Sequence, residues 1–305
     1  MNDKHTKKLL ILARTMRYYT SLKFIAFSII ISSLSACSMN KMMVDMSLPM
    51  IEGGIEAMNE EPDLQLAEDS MPANISMLNG MIQLDPENVR LHIYAAQAYY
   101  GLSYGFNEDN NIERAGNFYQ RGLKHGLIAL ELSGLKNARQ LNPEELELQL
   151  KKLDKDDVAA LFWTASNWAK WIDLHRDDAE SLIQLPKPTA MMRRVLELDE
   201  TFYYGSAHMY FGVYYGSRAP MLGGDFKKSE EHFKRAREIT DHKLLVADLL
   251  QAQYLARQMF DQDDFHRRLT KIIDAPEDLY PELTLLNQIT KRKAKLLLNK
   301  EKQWF

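Results

Sequence analysis

The amino-acid sequence predicts an all-α fold of irregular helical repeats. Three observations predict it. From Ile55 onward, apolar residues recur at helical spacing and the alternation of a half-buried strand is almost absent. Helix starts are punctuated by Pro and Asp, as in Asp85-Pro86-Glu87-Asn88. A small-residue helix followed by a turn and an amphipathic helix occurs twice.

The elements follow in order. In Asn88–Gly105, Leu91, Ala95, Ala98, Leu102 and Gly105 share one face, while Ile93, Gln97, Tyr100 and Tyr104 share the other. A helix apolar on two sides is packed on two sides. The next helix, Ile112–Ser133, carries a stripe of Ala115, Gly122, Gly126, Ala129 and Ser133. Each Gly costs helix stability of close to ~1 kcal/mol against Ala, so close approach of a neighbour is the expected compensation. Asp156–Leu174 is a helix with Asp caps and three Trp residues. Leu84-Asp85-Pro86 is echoed by Leu198-Asp199-Glu200, and the helix Phe202–Arg218 carries Gly205, Met209, Gly212 and Gly216 on one face. Phe226–Ile239 then echoes Ile112–Leu123, with Arg235-Ala236 matching Arg114-Ala115. Pro281–Asn299 closes the chain, with Pro at its start and Lys/Arg in its second half. Helix pairs of this kind are TPR-like, but the units are irregular and separated by insertions.

The N-terminus has the layout of an export signal. Residues 1–23 carry positive charge, Phe24–Leu34 is a short apolar run, and Leu34-Ser35-Ala36-Cys37 follows. The run is too short to span a bilayer, which needs about 20 residues. The sequence LSAC resembles the lipobox of bacterial lipoproteins, which makes Cys37 the expected site of lipid attachment. Residues 1–36 are then the signal, 37–54 a lipid-anchored tether and 55–305 the helical body. The Met and Leu content of the tether implies that it packs on something. Ser38 rather than Asp favours the outer membrane by resemblance to enteric sorting rules.

Composition narrows the function classes. Of 305 residues, 46% are apolar and 26% charged, enough for a sizeable core. The whole-chain charge is −4, and residues 37–305 hold 32 basic and 41 acidic residues. That balance disfavours nucleic-acid binding, which calls for a basic face. Cys37 is the single cysteine, so an internal disulfide or a cysteine zinc cluster is excluded. No HExxH, GxSxG, GxGxxG or Walker loop is present, so no catalytic residue, metal ligand or cofactor is assigned. The acid clusters, such as Asp154/Asp156/Asp157 and Asp261/Asp263/Asp264, read as helix caps and solvated loops.

Two constellations are candidate binding elements. In LFWTASNWAKWIDL, Trp163, Asn167 and Trp171 share a face, an amide between two indoles. They are either core or the wall of a ligand pocket. The second runs from Tyr214 to Asp225. There, Arg218 lies in a mostly apolar neighbourhood with Tyr204, Tyr210, Phe211 and Tyr215, and could clamp a carboxylate or pair with a local Asp. Pro220, Gly223, Gly224 and Asp225 form its structural loop, with the glycines free to adopt positive φ and Asp225 able to cap the next helix.

These stretches carry a family resemblance. AEDSMPANISMLNGMIQLDPEN, ERAGNFYQRGLKHGLIAL, DDVAALFWTASNWAKWIDL, YYGSRAPMLGGDFKKSEEHFKRA and PELTLLNQITKRKAKLLL resemble the T-component (TatT) family associated with TRAP transporters. The similarity runs from about Gly53 to Phe305. It implies a periplasm-facing lipoprotein, not an enzyme, that self-associates as a trimer. It also implies a periplasmic solute-binding protein as partner and a pore holding a hydrophobic or organic-acid ligand. The alternative is a TPR protein-interaction scaffold in envelope assembly, with a groove and no small-molecule ligand.

Overall fold

The computed structural model describes residues 39–305, and every regular element among them is helical. The signal segment and Cys37 lie outside the described residues. Helix α1 covers residues 39–60. It is followed by α2 (Leu64–Leu84), α3 (Val89–Leu102), α4 (Ile112–Leu132), α5 (Pro143–Leu150), α6 (Val158–Leu174) and α7 (Ala179–Leu182). Then come α8 (Pro186–Leu198), α9 (Phe202–Gly216), α10 (Phe226–Ile239), α11 (Val246–Leu250), α12 (Gln262–Asp274), α13 (Thr284–Leu298) and α14 (Glu301–Trp304).

Side-chain caps start most of the long helices. Asp63, Asn88, Asn111 and Asp225 each accept from backbone N–H groups in the first turn of α2, α3, α4 and α10. Asn142 and Glu145 form a reciprocal capping box at α5. Two helices change pitch. Helix α3 continues as a π-helical turn, Ser103–Asn107, and α11 continues as another, Gln251–Ala256. Such turns concentrate at functional sites.

Two antiparallel hairpins organise the body. In the first, His92 at the start of α3 meets His125 late in α4. In the second, Gly205 of α9 lies against Ile239 at the end of α10, and Gly216 lies against Ser229 near its start. Counted from the caps Asn111 and Asp225, Ala236 occupies the position of Gly122 and Ser229 that of Ala115. The register of the internal echo is thus two turns away from the Arg-Ala match read in the sequence. The TPR-like regularity is not established, because α5 to α8 separate the hairpins.

The Gly stripe of α4 has a concrete partner. A Cβ at Gly122 would stand 2.2 Å from Asn167 Oδ1, and one at Gly126 would stand 2.4 Å from Thr164 Oγ1. Helices α4 and α6 therefore touch backbone to side chain, and any larger residue must push them apart.

In α9 the backbone differs from the continuous helix expected over Phe202–Arg218. Tyr203, Tyr204 and Gly205 have φ of 43°, 61° and 72°, a left-handed turn, so the right-handed helix begins after Gly205. For two Tyr residues this conformation costs of order 1–3 kcal/mol each. The turn is held by packing: Tyr203 lies 4.7 Å from Trp163 between ring centroids.

The helices close on themselves. Helix α2 packs on α3, α3 on α6, α6 on α9, α9 on α11, α11 on α13, and α13 returns to α2. The last joint buries Ala67 and Ile75 of α2 with Leu285 and Ile289 of α13. Helix α1 lies outside this ring against α2 and α3, where Val44, Leu48 and Ile51 are buried with Leu78, Ile82 and Leu91. The Leu of the tether segment thus packs, whereas Met39, Met42, Met43, Met46 and Met50 are exposed.

Candidate functional site

The ring and the second half of α1 line a cavity of about 600 Å³. Its walls are mostly apolar: Met58 of α1, Met71 of α2, Ala98 of α3, Trp163 of α6, Met209 and Val213 of α9, Leu250 of α11 and Leu286 of α13. This volume is in the range of small-molecule sites.

Aromatic residues make one flank rigid. Trp163 is buried and lies edge-on to Tyr100 at 5.5 Å and to Phe162 at 4.9 Å. Burial pushes the Tyr100 phenol up to about 12, and it pushes the Tyr203 and Tyr210 phenols above their ordinary range as well. These hydroxyls stay neutral at any physiological pH. Tyr210 is anchored by a 2.7 Å hydrogen bond with Thr189.

Charge enters the cavity wall at two places. The first is Lys170 and Asp173 on the last turn of α6, with Arg176 in the turn that follows it. Lys170 Nζ is 2.7 Å from Glu108 and 3.5 Å from Asp173, and Tyr254 donates to Asp173 at 2.9 Å. Arg176 also pairs with Asp173. Burial alone would depress the Lys170 ammonium, but the carboxylates of Glu108 and Asp173 carry it well above its ordinary value. Burial would likewise raise Asp173, and the Lys170 and Arg176 cations outweigh it and hold the carboxyl low. The cluster is ionised and internally balanced. Both π-helical turns feed it, Tyr104 from one and Tyr254 from the other.

The second place is Arg218. Its Nε and Nη2 donate to Tyr214 O at 3.1 and 2.6 Å, and its guanidinium lies 3.9 Å from the Tyr214 ring centroid. Among the described residues it has no carboxylate partner. A stacked, fixed guanidinium without a counter-ion at the edge of an apolar chamber is a ready anion site.

The candidates from the sequence are distributed unevenly. Trp163 and Arg218 line the cavity. Asn167 is fully buried against α3 and α4, donating to Ala96 O and Trp163 O at 3.1 and 2.8 Å. Its Oδ1 has no hydrogen-bond partner and faces Gly122. Trp171 lies beside His175, 4.8 Å between ring centroids, outside the lining. Tyr204 meets Tyr280 edge-on at 6.2 Å and is also outside the lining. In the loop, Pro220 opens a short 3₁₀ turn, Gly223 has φ 85° and Asp225 accepts from Lys228 N. A Cβ at Gly224 would stand 1.9 Å from Arg218 O, so the loop folds directly onto the Arg218 backbone.

Residues missed in the sequence are Tyr100, Lys170, Asp173, Tyr203 and Tyr254. A Lys and an Asp three apart on an otherwise apolar, Trp-rich helix were a legible signal for the first cluster. Nothing local marked Tyr254.

A closed ring of helices around an apolar chamber, with Arg218 unpaired among the described residues, is what a ligand-holding helical protein presents. The chain belongs to the TRAP transporter T-component family, whose model matches residues 60–305. Membership ties it to a TRAP transporter system in an accessory role and to the cell envelope. No curated protein matches it. Among the described residues, no helix is long and apolar enough to cross a membrane.

Proposed function

We propose that the chain is a periplasm-facing lipoprotein that binds the solute-binding protein of a TRAP uptake system and holds a small hydrophobic organic acid in its cavity. The observation that carries the ligand part is the apolar chamber with Arg218 as its free cation. The acid's carboxylate docks on the guanidinium and its apolar part runs past Tyr214 and Tyr210 toward Trp163. The Lys170–Asp173–Tyr254 cluster is charge-balanced and serves as wall rather than anion site. The lipid on Cys37 holds the module at the envelope, on the outer membrane, and the chain self-associates as a trimer.

The test uses anilinonaphthalene sulfonate, an apolar dye with one anionic group. Binding is read by dye fluorescence and by energy transfer from tryptophan, and medium-chain fatty acids should displace it. Removing a charged hydrogen-bonding partner costs about 1.5–3 kcal/mol, so Arg218→Ala should weaken dye affinity about tenfold or more. Its thermal midpoint should hardly change. Unaltered affinity in the variant, or no saturable binding in the parent, rejects the ligand assignment. The partner part is tested separately by pull-down of the cognate solute-binding protein. Recovery of outer-membrane assembly factors in its place would favour a scaffold.

A further inference from the structure

Helix α1 is apolar on two opposite sides, and only one of them is used by the fold. Val44, Leu48 and Ile51 are buried against α2 and α3. At 100° per residue, Met39, Met42, Met43, Met46 and Met50 fall on the face turned away from them. They are exposed, at 60%, 56%, 46%, 75% and 72%. The stripe continues through Gly53, Gly54 and Ala57 without a charge, while Asp45, Glu52 and Glu56 lie along one flank. Exposed methionine in a continuous row is costly in water and is a soft, adaptable contact for irregular apolar surroundings.

What covers this face follows from its place in the chain, and the argument rests on the reading of Cys37 as lipid-bearing. Only Ser38 separates Cys37 from Met39, a reach of at most ~3.6 Å per residue. The acyl chains on Cys37 thus hold the start of α1 at the headgroups. The five methionines extend over about 17 Å of helix at 1.5 Å per residue. An upright helix would carry Met46 and Met50 out of the ~5–10 Å interfacial layer, and a helix lying flat keeps all five within it.

We infer that the methionine face of α1 lies flat on the bilayer as a second membrane contact beside the lipid. Because the opposite face is packed into the body, this contact fixes how the whole ring sits on the membrane. Met50 belongs to both the stripe and the cavity lining, so the α1 edge of the cavity is turned to the lipid surface.

The full lipidated chain is tested in vesicles of phosphatidylethanolamine and phosphatidylglycerol. Lipidation blocks the thiol of Cys37, so Met46→Cys supplies the single reactive thiol for a nitroxide label. Leu148→Cys on α5, also exposed, supplies the aqueous reference. The expected result is a label at 46 that collides several-fold more with oxygen than with a water-soluble nickel complex, relative to the label at 148. Equal accessibility at the two sites, in chains that float with the vesicles, overturns the membrane contact and leaves the anchor standing. A label at 46 shielded from both oxygen and the nickel complex, with dipolar broadening between labels, also overturns it, by placing a second copy on the face. A chain that stays in solution with a maleimide-reactive Cys37 overturns the contact and the anchor together.

Discussion

Two histidine pairs show how single side chains tie the hairpins together. His92 Nε2 is 3.0 Å from Pro86 O, which can only accept, so that nitrogen carries the proton. Its Nδ1 then accepts from His125 Nδ1, at 3.0 Å. The second hairpin repeats the device: His208 Nε2 donates to Glu200 at 3.1 Å and His208 Nδ1 accepts from His232 Nδ1 at 2.9 Å. Burial and then the neighbouring ring depress His125 and His232 to about 4. Nearby Lys124 and Lys228 add to the effect. The unfolded chain takes up these protons near pH 6.5 and the folded one only near 4. Stability from the pairs is therefore full above about pH 6.5 and falls as pH drops toward 4. The prediction is a thermal midpoint that declines between pH 7 and 5. The double variant His125→Asn, His232→Asn should flatten that decline, because Asn Nδ2 keeps the donor and removes the titration. A variant with an unchanged pH slope would show that the pairs do not carry it. At this scale the sequence was only partly legible. The pairing of His208 with His232 spans two helices and leaves no local signal in the sequence. Trp163 and Arg218 were found because an aromatic face and a cation in apolar company are local signals. Asn167 was placed beside Trp163 by spacing alone, and the same spacing turned it toward Gly122, where its amide binds the backbone of α3.

At the scale of elements, the contact of α4 with α6 is the tightest joint beside the cavity. Gly126 faces Thr164, whose Oγ1 is itself committed to Ala160 O at 2.6 Å and cannot swing away. The Thr164 Cα would stand 2.9 Å from a new Cβ, so relief requires moving backbone. In an open helix Gly→Ala stabilises by close to ~1 kcal/mol, whereas overpacking a dense core costs about 1–3 kcal/mol. Gly126→Ala is accordingly predicted to destabilise by up to about 2 kcal/mol net, measured by urea unfolding with an unchanged m value. A stabilised variant would mean that α4 and α6 are free to separate. The stripe itself was legible, since three or four small residues at helical spacing have few other uses. So were the limits of α4 and α10, the second marked by Asp225 as a cap. The left-handed turn in α9 was not. Tyr203-Tyr204-Gly205 has good helical spacing, and its inversion is imposed by contacts with Trp163 and Ile239 from distant parts of the chain. The π-helical turns were hidden for the same reason.

On the scale of the whole molecule, the feature that the sequence did not foreshadow is closure. A run of helix pairs reads as an open stack, and its end gives no sign of returning to its beginning. Closure depends on α13. Lys293 Nζ lies 3.0 Å from both carboxylate oxygens of Asp109 and 3.5 Å from Glu108, across a separation of 184 residues. Arg292 donates to Gly105 O beside it. The Lys293 side chain is only 8% exposed, so its loss leaves two acids short of a counter-ion in a poorly hydrated place. Breaking a buried pair costs about 3–5 kcal/mol. Glu108 keeps Lys170, and Arg292 stays within 3.8 Å of Asp109, which argues for the low end. Lys293→Met preserves the length and apolar stem of the side chain while removing the charge. For a body of this size it should lower the thermal midpoint by roughly 6–12 °C. The loss should also be directional. Amide exchange should quicken in α13 and in the Ser103–Asn107 turn, the two sides of this joint, and stay slow in α9 and α10, whose hairpin does not depend on it. Because the cavity exists only while the ring is shut, stabilisation by the bound dye should shrink in the same variant, since a ligand stabilises only the state that binds it. Uniform quickening across all helices would instead mean that the ring opens as a single unit with its core, and that α13 is no separate latch.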